Sequence, residues 1–420
     1  MKLLGLVFLF LAAVSAVPAK TGVKSYEGYK VFRALPSEEY QLAELLKLQD
    51  VQSYDFWSEI SKHQPVDIMA TPESISELEA FFKSHNIGYT TFMEDVEKKI
   101  QDSAVKSNVK SEIGSPRYSL NWDDYYRLDV IYEFFYSLAA DFPNLIEVQT
   151  IGTSYEGRDI IMAKVSSGGG GTKPAMFVDG TFHAREWISP ATLTFAVREL
   201  VENYAAHPEL VDNIDWFFVP VVNPDGYEYT FTNDRLWRKT RAPTQGTCTG
   251  TDPNRNWDFH WSEPGASDNT CSQTYHGDSP FSEVETAALR DVMLANLGQL
   301  KMYVSLHSYS QLFLLPWGYT TDLPDNYADQ LSAANRAIAA LTAVSGTQYE
   351  AGTSSNILYI NSGSSKDWAH GVGLIPYSYV VELPDTGSSG FLLPPSEIIP
   401  TGTEMWEAFK VLAEIVAGLA

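Results

Sequence analysis

Four short apolar runs constrain this chain more than any other feature: residues 176–180, 216–222, 302–306 and 377–382. They are too short for buried helices and too continuous for strands with one wet face. Such runs are what sheet strands buried on both faces require. Helical patterns lie between and before them. Residues 123–140 are amphipathic, and Ser189-Pro190 supplies an N-cap followed by Pro, opening a helix to about Tyr204. Buried strands alternating with helices predict an α/β domain, a mixed sheet with helices on both faces. The glycine run 168–171 lacks the Lys-Ser/Thr of a phosphate cradle and reads as a surface loop.

A smaller unit precedes this domain. Residues 29–35 carry a strand pattern, and Ser37 caps a helix running to about Leu48. Two more strands follow at 54–60 and 65–70, Thr71-Pro72 opens a second helix, and 88–93 closes with a strand. The order β-α-β-β-α-β predicts a small α+β domain of ferredoxin-like type. A charged helical stretch, about 94–109, runs into a polar segment ending Gly114-Ser-Pro-Arg117. That segment reads as an exposed linker cut by a trypsin-like protease at Arg117, with Lys110 as the alternative.

The first residues set the compartment. Lys2 precedes an apolar run, 3–14, that is too short to span a bilayer and ends in Val14-Ser15-Ala16, small residues where a signal peptidase reads. The expected division is 1–16 as signal peptide, 17–117 as the small domain with its linker, and 118–420 as the α/β domain. No later run is long and apolar enough to span a membrane, so a soluble, secreted protein is expected. An oxidising compartment makes Cys248–Cys271 an expected disulfide, stabilising the fold by about 3 kcal/mol. The net charge is -24. Most of it falls after Arg117, where 16 basic side chains face 37 acidic ones. Such a balance argues against nucleic acid and anionic membranes as partners.

Polar residues of one kind gather just past the apolar runs. His183 and Glu186 follow the first, His307 follows the third, and Glu382 ends the last. In α/β sheets, sites form beyond the carboxyl ends of strands. Two imidazoles and a carboxylate suit a catalytic zinc with a fourth position left for water. Closed structural zinc sites use four Cys or His ligands, and no fourth adjoins these motifs.

These motifs, in this order, resemble the secreted metallocarboxypeptidases of the pancreatic carboxypeptidase A/B type, made as zymogens, and the insect digestive members in general character. The resemblance covers nearly the whole chain: signal, activation domain, cut site and peptidase domain. It implies one zinc per chain held by His183, Glu186 and His307, with Asp252 orienting the first His. It implies Glu382 as general base and Arg238 as the group that stabilises the oxyanion. Asn254, Arg255 and Tyr359 match the residues that bind the substrate's terminal carboxylate, and Arg185, Tyr309 and Phe391 match those lining outer subsites. The two cysteines match the family's bridge. Pro384 stands where the family usually has Arg, beside the base. The implied activity is removal of the C-terminal residue of peptides and proteins, by a monomer secreted into a digestive lumen and activated by a trypsin-like protease.

Lys366 matches the floor of the specificity pocket. A lysine there would attract Glu or Asp and repel Lys and Arg. At an effective dielectric of 20, two charges 4 Å apart interact by about 4 kcal/mol, leaving a net bias of about 1–3 kcal/mol after desolvation. Ser305, Leu314, Gly318, Ser354, Leu358, Ser364, Ser365 and Val380 match the remaining lining, with no acid among them to neutralise the lysine. The alternatives are a lysine that snorkels to water, leaving an A-type preference for aliphatic or aromatic ends, and an inactive binding protein on the same fold. Against the last stand Glu382, Arg238 and all three ligand candidates.

Overall fold

The computed structural model describes residues 22–58, 60–61, 64–103, 118–168 and 173–418. The signal segment, both cut sites and most of the glycine run lie outside the described residues. The N-terminal domain is built from β1 (Lys30–Leu35), α1 (Glu39–Leu46), β2 (Tyr54–Phe56), β3 (Val66–Ala70), α2 (Ile75–Ser84), β4 (Gly88–Met93) and α3 (Val96–Ser103). Its sheet has the order β2-β3-β1-β4 with all neighbours antiparallel, as the element order requires. Alternation along the strands gives the sheet two different faces. Phe32, Ala34 and Ile68 pack under the helices with Leu42, Leu45, Leu78 and Phe82. Val31, Met69 and Met93 pack instead with Leu236, Tyr309 and Phe391 of the second domain.

Element ends depart from expectation for local reasons. The α1 N-cap is Glu38 rather than Ser37, because the Gln41 side chain reaches back to accept from the N–H groups of Ser37 and Glu38. The second helix starts at Ile75, after a turn in which Ser74 N–H donates to the Thr71 carbonyl. The β2 strand stops at Phe56, where the Trp57 N–H still bonds Asp67 O and the chain then leaves the sheet.

The second domain contains α4 (Leu128–Asp141), β5 (Ile146–Thr153), β6 (Asp159–Val165), β7 (Ala175–Gly180), α5 (Ile188–Glu202), α6 (Glu209–Asp212), β8 (Asp215–Val219) and α7 (Pro224–Thr232). It continues with α8 (Val284–Ala295), β9 (Leu300–Ser308), β10 (Leu312–Leu315), α9 (Tyr327–Ser345), β11 (Glu350–Thr353), α10 (Ser354–Ile357), α11 (Ser365–Gly371), β12 (Tyr377–Leu383) and α12 (Ile398–Ala417). The eight strands form one sheet, β11-β10-β12-β9-β7-β8-β6-β5. The central strands β12, β9, β7 and β8 run parallel, and β10 and β6 are antiparallel to their inner neighbours. Both faces are covered: Met176, Val178, Trp216, Phe218 and Val304 pack towards α4, α5, α9 and α12, whereas Phe177, Phe217 and Tyr303 pack towards α8 and α11. The Cys248–Cys271 disulfide is formed. Among the described residues no helix is long and apolar enough to cross a membrane.

Candidate metal centre and substrate cleft

The site lies where three strands end level. Gly180 of β7 sits opposite Leu306 of β9, and His307 of β9 sits opposite Glu382 of β12. The chain leaves β7 for β8 on one side and later returns to β9 on the other, and a crevice opens at such a reversal. A turn past β7 carries His183 and Glu186 into this crevice. Ser189 pins it: its hydroxyl accepts from the Thr181 N–H (3.0 Å) and donates to the Leu306 carbonyl (2.6 Å). A Cβ at Gly180 would stand 2.5 Å from that hydroxyl, so the position needs glycine. The expected N-cap role of Ser189 is thereby corrected; α5 begins at Ile188, two residues ahead of the expected Pro190, behind Trp187.

His183 Nδ1 lies 2.7 Å from Glu186 Oε1, and His307 Nδ1 lies 3.1 Å from Glu186 Oε2. The two Nδ1 atoms are 3.1 Å apart. Three atoms bearing lone pairs therefore converge, and one cation satisfies all of them where a proton bridges only two. Zinc bonds of about 2.0–2.1 Å at tetrahedral angles set ligand atoms about 3.3 Å apart, so the donor set and its spacing fit zinc. His183 Nε2 faces Asp252 Oδ1 at 3.0 Å, which places the proton on Nε2 and leaves Nδ1 free to bind. Asp252 Oδ2 accepts from Arg238 Nη2 at 2.8 Å. Burial raises the Asp252 carboxyl, but the Arg238 guanidinium and His183 outweigh it and hold it well below the usual carboxylate range. Burial likewise raises Glu186, and His183 and His307 pull it below.

A cleft open to solvent joins this group to most of the other residues singled out from sequence. Arg238, Asn254, Arg255, Tyr309, Lys366, Glu382 and Phe391 line it with His183 and Glu186. Arg255 is held by two carbonyls, with Nε donating to Gly265 O and Nη1 to Asn254 O. Tyr359 does not line the cleft. The segment before it is engaged by the N-terminal domain, where Ser61 Oγ donates to the Ile357 carbonyl at 3.0 Å. Of the expected pocket lining, Leu314, Ser354, Leu358, Ser364 and Val380 face the cleft, joined by Leu312 and Asn361. Ser305 and Ser365 are turned away, donating to Asp179 Oδ1 and Asn254 Oδ1, and Gly318 lies behind Asn361.

Lys366 reaches the cleft, but the absence of a neutralising acid is corrected. Its Nζ lies 3.0 Å from Asp367 Oδ1 and 3.2 Å from Ser364 Oγ, and both partners of the ion pair are buried. Asp367 escaped notice because it immediately follows the lysine, and consecutive residues on a helix ordinarily point apart.

The N-terminal domain covers the rim. Arg185 is fully buried, donating Nη1 to Asp55 Oδ2 at 2.7 Å while its guanidinium lies 4.1 Å from the Phe391 ring centre. Tyr309 donates its hydroxyl to Asp67 Oδ2 at 2.7 Å, and Arg33 holds that same carboxylate at 2.7 Å. Trp57 packs on Phe391. Asp55, Trp57 and Asp67 were not identified from sequence. Asp67 had a signal, since a charge within the buried strand Val66–Ala70 demands a partner.

Comparison with known proteins extends this picture. The zinc carboxypeptidase family matches residues 131–408, and the carboxypeptidase activation peptide family matches residues 32–103. The chain is 50% identical over 299 residues to carboxypeptidase B of Astacus astacus, covering 71% of this chain and 98% of that protein. It is 38% identical to carboxypeptidase A1 of Rattus norvegicus, covering 99% and 98%. The crystal structure of carboxypeptidase A from Helicoverpa armigera superposes with a TM-score of 0.86 at 30% identity, covering 94% of this chain and 99% of that one. A His-Glu-His group positioned for one metal ion, on this sheet and behind this N-terminal domain, is thus what the whole-chain likeness requires, and the chain belongs to the zinc carboxypeptidase family, carrying an activation peptide ahead of its catalytic domain.

Proposed function

We propose that this enzyme is a secreted, monomeric zymogen exopeptidase that releases the C-terminal residue of peptides, with a preference for Glu or Asp ends. The observation that carries the reading is one cleft lined by His183 and Glu186 of the metal group together with Glu382, Arg238, Arg255 and Lys366. Zinc held by His183, Glu186 and His307 would supply Lewis-acid polarisation and a hydroxide nucleophile near neutral pH. Arg255, with Asn254, forks onto the substrate's free carboxylate and so selects chain ends over internal bonds. Glu382 takes the proton of the attacking water and passes it to the leaving amine. Arg238 stabilises the charge that develops on the carbonyl oxygen. Asp252 contacts both His183 and Arg238 and orients the two groups at once.

Residues 17–117 are proposed as the activation segment and 118–420 as the peptidase, with 1–16 removed on secretion. Asp55 on Arg185 and Asp67 on Tyr309 support a precursor whose outer cleft is occupied. Cleavage by a trypsin-like protease at Arg117 is expected to raise turnover. Equal turnover before and after the cut removes the zymogen reading.

Lys366 supports the acidic preference, but its pairing with Asp367 and the walls of Leu312, Leu314, Leu358 and Val380 favour a second reading, an aliphatic or aromatic preference. The test is kcat/KM of the cleaved protein on peptides differing only in the last residue, Glu, Leu, Phe or Lys. A lead for Glu that Lys366→Ile abolishes supports the first reading, and a lead for Leu or Phe the second. No turnover by zinc-loaded, cleaved protein leaves a binding protein.

A further inference from the structure

Lys366 and Asp367 are both buried, yet only the lysine faces the cleft. The aspartate is fixed from behind. Its Oδ2 accepts the Gly318 N–H at 2.8 Å, while its Oδ1 takes Lys366 Nζ at 3.0 Å. Gly318 is itself locked, since its carbonyl accepts the Asn361 N–H at 2.9 Å and a Cβ there would stand 2.3 Å from Asn361 Oδ1. The anion is thus the rigid member of the pair and the lysine, on its long stem, the adaptable one. An acidic side chain entering the pocket would share one ammonium with a second carboxylate that cannot withdraw. Like charges brought together in a buried site oppose each other, so part of the attraction of Lys366 is cancelled before substrate arrives.

We infer that Asp367 is the positioning residue that sets charge selectivity in the pocket: it aims Lys366 at the cleft and, by its own charge, limits the preference for acidic over isosteric neutral ends. The inference rests on the reading that Lys366 meets the substrate's last side chain. It predicts at most a modest preference for Glu over Gln in the native enzyme, with Asp367 as the cause.

The readout is the kcat/KM ratio for peptides ending in Glu and in Gln, which differ in charge at nearly constant shape. In the cleaved zinc enzyme, Asp367→Asn keeps an oxygen for the Gly318 N–H and removes the charge. It is expected to raise the Glu-to-Gln ratio about tenfold, and the rise is expected to vanish in the Lys366→Met background. A ratio unchanged or lowered by Asp367→Asn, while Lys366→Met still erases a native Glu preference, overturns the inference and leaves the acidic reading standing. A native enzyme without Glu preference that gains one in Asp367→Asn overturns that reading and sustains the inference. No Glu preference in either protein overturns both. Should Asp367→Asn fail to fold, the double variant Lys366→Met/Asp367→Asn decides. Its folding shows that a lone buried lysine was the fault, as the pairing requires, and its failure, with the Gly318 N–H still accepted by the amide oxygen, overturns the pairing with Lys366 as the role of Asp367.

Discussion

The two ends of the cleft treat charge in opposite ways. At the metal end, the local pair His183 and Glu186 is completed by residues from other parts of the chain: His183 meets Asp252, Asp252 meets Arg238, and His307 comes from another strand. At the pocket end, charge is closed between neighbours, Lys366 and Asp367. The metal end brings together two imidazoles and a carboxylate that one cation can satisfy at once. The pocket end is balanced already. On the proposed mechanism, chemistry at the first is expected to be close to all-or-none, because removing any member leaves the rest misaligned. On the proposed reading, selectivity at the second is a difference between two interactions that partly cancel, and so it is expected to be tunable by small changes.

The largest effect expected is at the metal end. Glu382→Gln should lower kcat of the cleaved enzyme by about 10²–10⁴-fold, with zinc content unchanged by elemental analysis. A loss under tenfold breaks the assignment of Glu382 as the base, and with it the all-or-none character of that end. Asp252→Asn comes next. The amide still accepts one hydrogen bond but no longer balances both His183 and Arg238, so zinc affinity should fall about 10–100-fold in competition with a chelator. Full zinc retention would mean that His183 keeps its tautomer without the carboxylate.

How readable each end was from sequence follows the same division. Zinc chemistry admits few residue types, and His183, Glu186, His307 and Glu382 stood just past apolar runs that only buried strands explain. The strands β7, β8, β9 and β12 were legible for that reason. The strands β10 and β11 were not, at four residues each, nor was β5, whose edge position exposes much of it. The first helix of the second domain was placed too early because Asn121, Asp123 and Tyr126 close a hydrogen-bonded turn that holds helix formation off until Leu128. Asp367 gave no local signal, because consecutive residues on a helix ordinarily point apart. The seating of Asp55 and Asp67 on Arg185 and Tyr309 depends on two surfaces docking, which no local pattern encodes.

That docking bears on the comparison as well, because the activation domain grips the rim beside the metal end. Asp55→Ala frees Arg185 from its carboxylate. Turnover of a short peptide by the uncleaved zymogen is expected to rise severalfold, with little change once the domain has been cut away. An equal rise in both forms would place Asp55's influence somewhere other than the covered cleft.

The smallest effect expected separates charge from hydrogen bonding at the pocket end. Ser364 Oγ accepts from Lys366 Nζ at 3.2 Å, an uncharged acceptor beside the charged one of Asp367. Both bonds come from an ammonium, but only the carboxylate also supplies the opposite charge. Ser364→Ala leaves the ion pair in place and removes only the weaker restraint on the ammonium. The Glu-to-Gln ratio of kcat/KM should therefore move by less than the roughly tenfold change expected from Asp367→Asn. If Ser364→Ala moves the ratio further than Asp367→Asn does, the aim of the lysine governs selectivity rather than its counter-charge. The pocket end would then work as the metal end does, by alignment.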